Sequence, residues 1–247
     1  MRTGRREVRG WLVLGAILVL PALGLGRSEA VDAPERVHLY VAVPADQTIN
    51  YAIADAALHE AELAMAWLEE EAGQSLRRRP ADFAEILTMP MPRDAFVGDV
   101  RAAFAAIHAE VTRHVDDPRV FPLILADVRT ETGTTGWLTC GLGGTDGVVM
   151  FLGNCPDDDL STRSTWGSEA SFTIAHELVH GLGAVQPCAP HESGDGHVTD
   201  DPRDVLYAGR SPRTAGQPVV LDAGNDDYMG HQIPGCPDIR DSPLWSR

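Results

Sequence analysis

His176-Glu177-Leu178-Val179-His180 places two imidazoles and one carboxylate within five residues. On a helix, positions i and i+4 share a face, so both imidazoles can reach a single ion. Glu177 follows the first imidazole and can reach a water activated at that ion without ligating it. This combination suits zinc-assisted hydrolysis. Zinc lowers the pKa of a water towards about 7, and a carboxylate takes the proton as the oxygen attacks a peptide carbonyl. A structural zinc site usually fills all four positions with protein ligands and needs no base, so Glu177 points to catalysis. A catalytic zinc still needs a third protein ligand. His191 and His197 lie downstream, and both are candidates.

The elements that must position these residues can be read from periodicity. The apolar stretch Phe172-Thr-Ile-Ala before the motif predicts a core-facing helix over Ser168–Leu182, broken at Gly183. Arg36–Val43 alternates as a first strand, and Val120–Val128 reads as a buried strand with its proline near the start. Asn50–Ala72 and Asp99–Val115 read as helices, and Gly73–Gly98 as a loop with short pieces of structure. Within it, Arg77-Arg-Arg79 is expected to be a solvated turn. Gly147–Leu152 reads as an edge strand after a Gly-rich turn. Beyond Gly183 the chain is polar and rich in Gly and Pro. The fold class expected is α+β.

The chain has 247 residues, no lysine and a net charge of −16. Arg2, Arg5, Arg6 and Arg9 precede the apolar run Trp11–Leu20, and Ser28-Glu29-Ala30 offers a small-x-small cleavage site. Residues 1–30 therefore read as a signal peptide, giving a secreted (extracellular or periplasmic) protein with no membrane association after cleavage. The remaining 31–247 suits one catalytic domain, with an N-terminal subdomain over about 31–183 and a C-terminal one over about 184–247. Losing the leader removes five Arg and two Glu, taking the net charge from −16 to −19. Such a field repels phosphate, which argues against nucleic acid as a partner. The partner expected is a protein or peptide substrate met by a monomer.

The four cysteines, Cys140, Cys155, Cys188 and Cys236, form no Cys-x-x-Cys pair. In an exported chain an even count points to two disulfides with three possible connectivities. Cys140–Cys155 with Cys188–Cys236 is favoured, because each bond then staples one side of the histidine motif. Asp157-Asp-Asp159 offers oxygen ligands for calcium, although a solvated acidic loop is the simpler reading.

His176 to Gly183, His-Glu-x-x-His-x-x-Gly, resembles the start of the extended metzincin motif, in which the chain turns at the glycine and delivers a third ligand almost at once. Gln186 occupies that place here, and a neutral amide is a poor zinc ligand. The stretch Gly196–Tyr207 resembles the matrixin ending of that motif, with Leu206 at the position of the methionine beneath the metal. His197 precedes Leu206 by nine residues and His191 by fifteen, so the resemblance favours His197 as third ligand over His191. It implies a metzincin-like zincin fold, a twisted mixed sheet with two backing and active-site helices and an irregular C-terminal subdomain, and a zinc endopeptidase with Glu177 as general base. Tyr207, Tyr228 and His231 are candidates for steadying an oxyanion, and Asp200 and Asp204 for orienting ligands. The alternative is a secreted, non-catalytic binding module that keeps the metzincin-like fold.

Overall fold

Alternate residues of the first strand, β1 (Arg36–Val43), face two different cores. Val37, Leu39, Val41 and Val43 enter one apolar cluster, while Tyr40 and Ala42 enter the other. β3 (Val120–Ala126) and β5 (Gly147–Phe151) divide in the same way. A strand buried on both faces reads as a nearly continuous apolar run, which is what VFPLILA and GVVMF are. The computed structural model describes residues 34–80, 83–130, 139–155, 169–209 and 218–246. The expected leader, the Asp157–Asp159 run and Ser168 lie outside the described residues. No described helix is long and apolar enough to cross a membrane.

The sheet has five strands in the order β2-β1-β3-β5-β4, completed by β2 (Glu85–Thr88) and β4 (Gly141–Gly144). β1, β2, β3 and β5 are parallel, and β4 runs antiparallel to β5. Two expectations change here. β5 is not an edge strand, because the glycine-rich segment before it is itself a strand and takes the edge position. The stretch Gly73–Gly98, expected to be mostly loop, supplies β2 at the opposite edge. Pro122 falls opposite His38 but before the β5 ladder begins at Leu123, so its missing N–H leaves that pairing intact.

Helix α1 (Tyr51–Ala72) starts at Asn50, whose side chain accepts the Ala52 and Ile53 N–H groups, and stops at Gly73 in the left-handed conformation. Ala54, Ala57, Ala61, Ala64 and Leu68 form its buried stripe. Helix α2 (Val100–Thr112), capped by Asp99, buries Ala103, Ile107 and Val111 against the opposite face of the sheet. The third helix, α3 (Glu169–Leu182), lies on the α1 face and enters the same apolar cluster. Arg78, expected to be solvated, is partly buried and paired with Glu62 and Glu69 of α1. Beyond Leu182 the described chain is irregular apart from a short 3-10 turn at Ile239–Asp241 and isolated bridges.

The α3–sheet contact is close because glycine permits it. A Cβ on Gly181 would lie 2.4 Å from Phe121 Cζ of β3. Gly181→Ala is therefore expected to destabilise the metal-free protein by about 1–3 kcal/mol through overpacking, despite alanine's helix preference of up to about 1 kcal/mol. Urea unfolding measures this, and an increase in stability would show that Phe121 yields readily.

Candidate metal centre

Helix α3 is buried nearly all round. Over Ala170–Leu182, only Thr173, His176 and His180 are partly exposed, and their spacing of three and four residues traces one stripe along the helix. The two motif histidines therefore lie on the one half-buried stripe of an otherwise buried helix. Glu177, one position round from His176, is 7% exposed. β4 lies against it. A Cβ on Gly143 would meet the Glu177 carbonyl oxygen at 2.5 Å, and one on Gly141 would meet Met150 Sδ at 2.7 Å and Glu177 Cγ at 3.0 Å. The Gly143 N–H donates to the Glu177 carboxylate. Burial pushes this carboxyl up to about 8, partly offset by that hydrogen bond. The upward shift gives the carboxylate a higher proton affinity, and a cation held by the histidines would favour the ionised form that can act as a base.

The helix ends at Gly183 (φ 112°). Gly183 N–H donates to His180 O and Ala184 N–H to Val179 O, the bond pair of a Schellman motif. That turn presents the Ala184 carbonyl to His180, whose Nδ1–H donates to it at 3.0 Å. Gln186 caps the same turn, with its Nε2 donating to Gly183 O at 2.7 Å. The residue in the place of a ligand thus satisfies a helix-end carbonyl.

The chain then makes an excursion. A disulfide joins Cys188 to Cys236, with Cα atoms 5.8 Å apart, and a second joins Cys140 to Cys155. His191 turns away from the motif. Its backbone N–H donates to Asp227 Oδ1 at 2.9 Å and its Nδ1–H to Asp227 Oδ2 at 3.1 Å. The hydrogen bond to Asp227 raises its pKa. Asp200 also faces His191, at 3.8 Å, and not a motif histidine. His197 comes back to the motif, and its Nε2 lies 3.2 Å from Nε2 of His176. His176, His180 and His197 each place a ring nitrogen within 4.8 Å of the others.

The tautomers follow from the partners. Nδ1–H of His176 donates to Val205 O at 2.7 Å, and Nδ1–H of His197 donates to Asp195 Oδ1 at 3.0 Å. Because carbonyls and carboxylates only accept, each neutral ring carries its lone pair on Nε2. Two lone pairs 3.2 Å apart repel unless a cation or proton lies between them. Two nitrogens bound at 2.0–2.1 Å to a tetrahedral zinc would be about 3.3 Å apart. The donor set therefore fits zinc: three neutral imidazoles with their free nitrogens converging. Burial first, then the His180 and His197 charges, push His176 down to about 3, and burial lowers His180. Both rings are held in the neutral form that metals require.

The segment below the histidines is braced by buried acids. Asp204 accepts from the Leu206 N–H (2.7 Å), the Ala223 N–H (3.0 Å) and the Tyr228 hydroxyl (2.8 Å). Its contribution to the site is to hold the turn that carries the Val205 carbonyl; it touches no motif histidine directly. Asp222 accepts main-chain N–H groups of Asp226, Asp227, Tyr228 and Met229. Nothing in the local sequence pattern marks Asp222 or Asp195, because their partners are defined only by the fold or by one turn's geometry. Tyr228 is buried with its hydroxyl committed to Asp204, and His231 Nε2 is engaged by Pro237 O. Both are structural. Tyr207 is half-buried and pairs by its backbone with Val198.

No protein-family model matches the sequence, and no curated protein matches it. Among solved structures, the chain is similar to a zinc-dependent peptidase from Methanocorpusculum labreanum, at 10% identity and a TM-score of 0.41 over 76% of this chain and 96% of that one. It is also similar to metalloproteinase-II from Bacteroides fragilis, at 15% identity and a TM-score of 0.41 over 78% of this chain and 52% of that one. A third similarity is to catalytically inactive OgpA from Akkermansia muciniphila, solved with an O-glycopeptide, at 11% identity and a TM-score of 0.43 over 76% of this chain and 57% of that one. The chain thus spans about half the length of the last two. At TM-scores below 0.5 these likenesses carry no inference about chemistry, which rests on the histidine geometry.

Two outcomes follow from this geometry. The unfolded chain's His176 titrates near 6.5 and the folded one's near 3, so between those values the unfolded state binds more protons. Stability of the metal-free protein should therefore fall as pH drops from about 6.5 towards 3, with this residue adding a slope of up to about 1.4 kcal/mol per pH unit. Urea midpoints across that window should flatten in His176→Asn. Separately, zinc should raise the Tm of the metal-free wild type. His191→Ala should keep that rise and His197→Ala should lose most of it; the reverse pattern would move the third ligand to His191.

Proposed function

We propose that this chain is an exported zinc-dependent endopeptidase of metzincin-like design, with His176, His180 and His197 as metal ligands and Glu177 as general base. The observation that carries the reading is the convergence of three Nε2 lone pairs beside a buried carboxylate. Zinc, when bound, polarises a substrate carbonyl and acidifies a water. The chain's own residues supply the rest. Glu177 receives a proton on its carboxylate as water attacks the scissile carbonyl and returns it to the leaving amine. Gly143, through its N–H to that carboxylate, holds the acceptor in place. Burial by β4 and α3 keeps bulk water from competing for the proton.

The edge strand beside α3, among the described residues, suggests how a peptide is held. β4 is the outermost strand on the α3 side, and its glycines bring it against Glu177. An extended peptide paired with β4 by strand addition would run past the base, with main-chain hydrogen bonds aligning the scissile bond. β5, expected from the sequence at the edge, lies inside the sheet and is not available for this pairing. Leu206, in the place of the metzincin methionine, is fully buried and follows the residue whose carbonyl orients His176. An apolar side chain of similar volume can fill that packing role. Two disulfides accord with an oxidising compartment.

Glu177→Ala separates chemistry from binding. It should retain stoichiometric zinc and lose about 10²–10⁴-fold in peptide cleavage rate, measured on casein or a broad peptide library. A wild-type protein that binds zinc stoichiometrically but cleaves nothing in such a library would overturn the enzyme reading and leave a metal-holding binding module.

A further inference from the structure

The third histidine is held differently from the other two. His176 and His180 donate to main-chain carbonyls, whereas His197 donates to the carboxylate of Asp195, two residues before it. The segment Glu192-Ser-Gly-Asp-Gly-His197 closes on itself to make this contact. The Glu192 carboxylate accepts the N–H groups of both Gly194 and Gly196 at 2.8 Å. Those glycines take φ values of 95° and 87°, open to residues without a Cβ. Ser193 donates through its N–H and hydroxyl to His197 O, at 2.9 and 3.1 Å, and its hydroxyl also donates to Asp195 Oδ1. Gly196 lies against the second histidine, with its ideal Cβ position 3.7 Å from His180 Cε1.

We propose that Asp195 is a positioning residue that sets the tautomer and orientation of His197 towards the metal. This rests on the zinc reading of the three histidines. The physical need is specific to the third ligand. α3 is a buried helix whose packing limits the rotamers of His176 and His180. His197 stands on irregular backbone, with its side chain 26% exposed, so its ring needs another restraint. A carboxylate on Nδ1–H supplies one, through a charge-assisted hydrogen bond stronger than that to a neutral carbonyl. Asp195 itself is 68% exposed at the side chain. Removing it opens no cavity and strands no buried partner, so its effect on the metal is separable from the stability of the fold.

The test measures zinc affinity of the full chain by chelator competition, together with Tm of each metal-free form. Asp195→Ala should weaken zinc about 10–100-fold with metal-free Tm unchanged. Asp195→Asn, which keeps an acceptor oxygen without the charge, should fall between it and wild type. Wild-type affinity in Asp195→Ala, with zinc lost in His197→Ala, would overturn the positioning role and leave the metal reading standing. Zinc bound normally by His197→Ala would overturn both. Weaker zinc accompanied by a matching fall in metal-free Tm would reduce Asp195 to a loop strut and also count against the proposal.

Discussion

The site depends on how closely α3 approaches the sheet. Gly181 lets the helix backbone approach Phe121, and Gly141 and Gly143 let β4 approach Glu177. Any side chain at these positions would push the helix outward and uncover the face that carries the base. Because the helix is covered almost all round, its polar motif residues have a single direction in which to open. Desolvation then acts on groups of opposite charge type in complementary ways. It keeps His176 and His180 neutral and raises the proton affinity of Glu177. The electrostatics suited to binding a cation and accepting a proton thus arise from packing.

Convergence of the three imidazoles depends on a second constraint: every Nδ1–H is claimed by an acceptor. The acceptors come from three parts of the chain: the turn after α3, the turn at Val205 and the loop before His197. The irregular part of the described chain beyond Leu182 delivers them. It lacks the repeating ladders of helices and sheets, so it is held by point contacts. These are the Cys188–Cys236 bond, the His191–Asp227 pair, and the buried carboxylates of Asp204 and Asp222, which gather main-chain N–H groups. A buried carboxylate accepting several such donors can replace secondary structure as an organiser of backbone, because each donor would otherwise be left unsatisfied.

Much of the frame was legible in the sequence. β1 matches its alternating run from Arg36 to Val43, and α1 and α2 match their expected spans within a few residues at each end. Those elements announce themselves through periodicity and caps such as Asn50 and Asp99. The departures have a common cause. β2 is short and largely exposed, and β4 is Gly-Leu-Gly-Gly, so neither carries the apolar alternation that marks a strand. Their strand character comes from neighbours: β1 for one, β5 and the tight contact with α3 for the other. Arg78 was misjudged for the same reason, since its carboxylate partners stand 16 and 9 residues earlier in the chain.

By itself the sequence determined that His176 and His180 share one face with Glu177 beside them, because a helix places residues four apart on one face whatever surrounds it. It also determined that cysteines and glycines would punctuate the stretch that follows. Which later histidine joins the pair was decided only in three dimensions. His191 and His197 are equally capable ligands by type, and local spacing ranks them only by resemblance. The tertiary structure separates them through contacts remote in sequence: Asp227, 36 residues on, captures His191, while the Val198–Leu206 backbone pairing draws His197 over His176. Bringing His197 to the motif pair was a matter of closing long loops around a common point, and local periodicity carries no information about how such loops close.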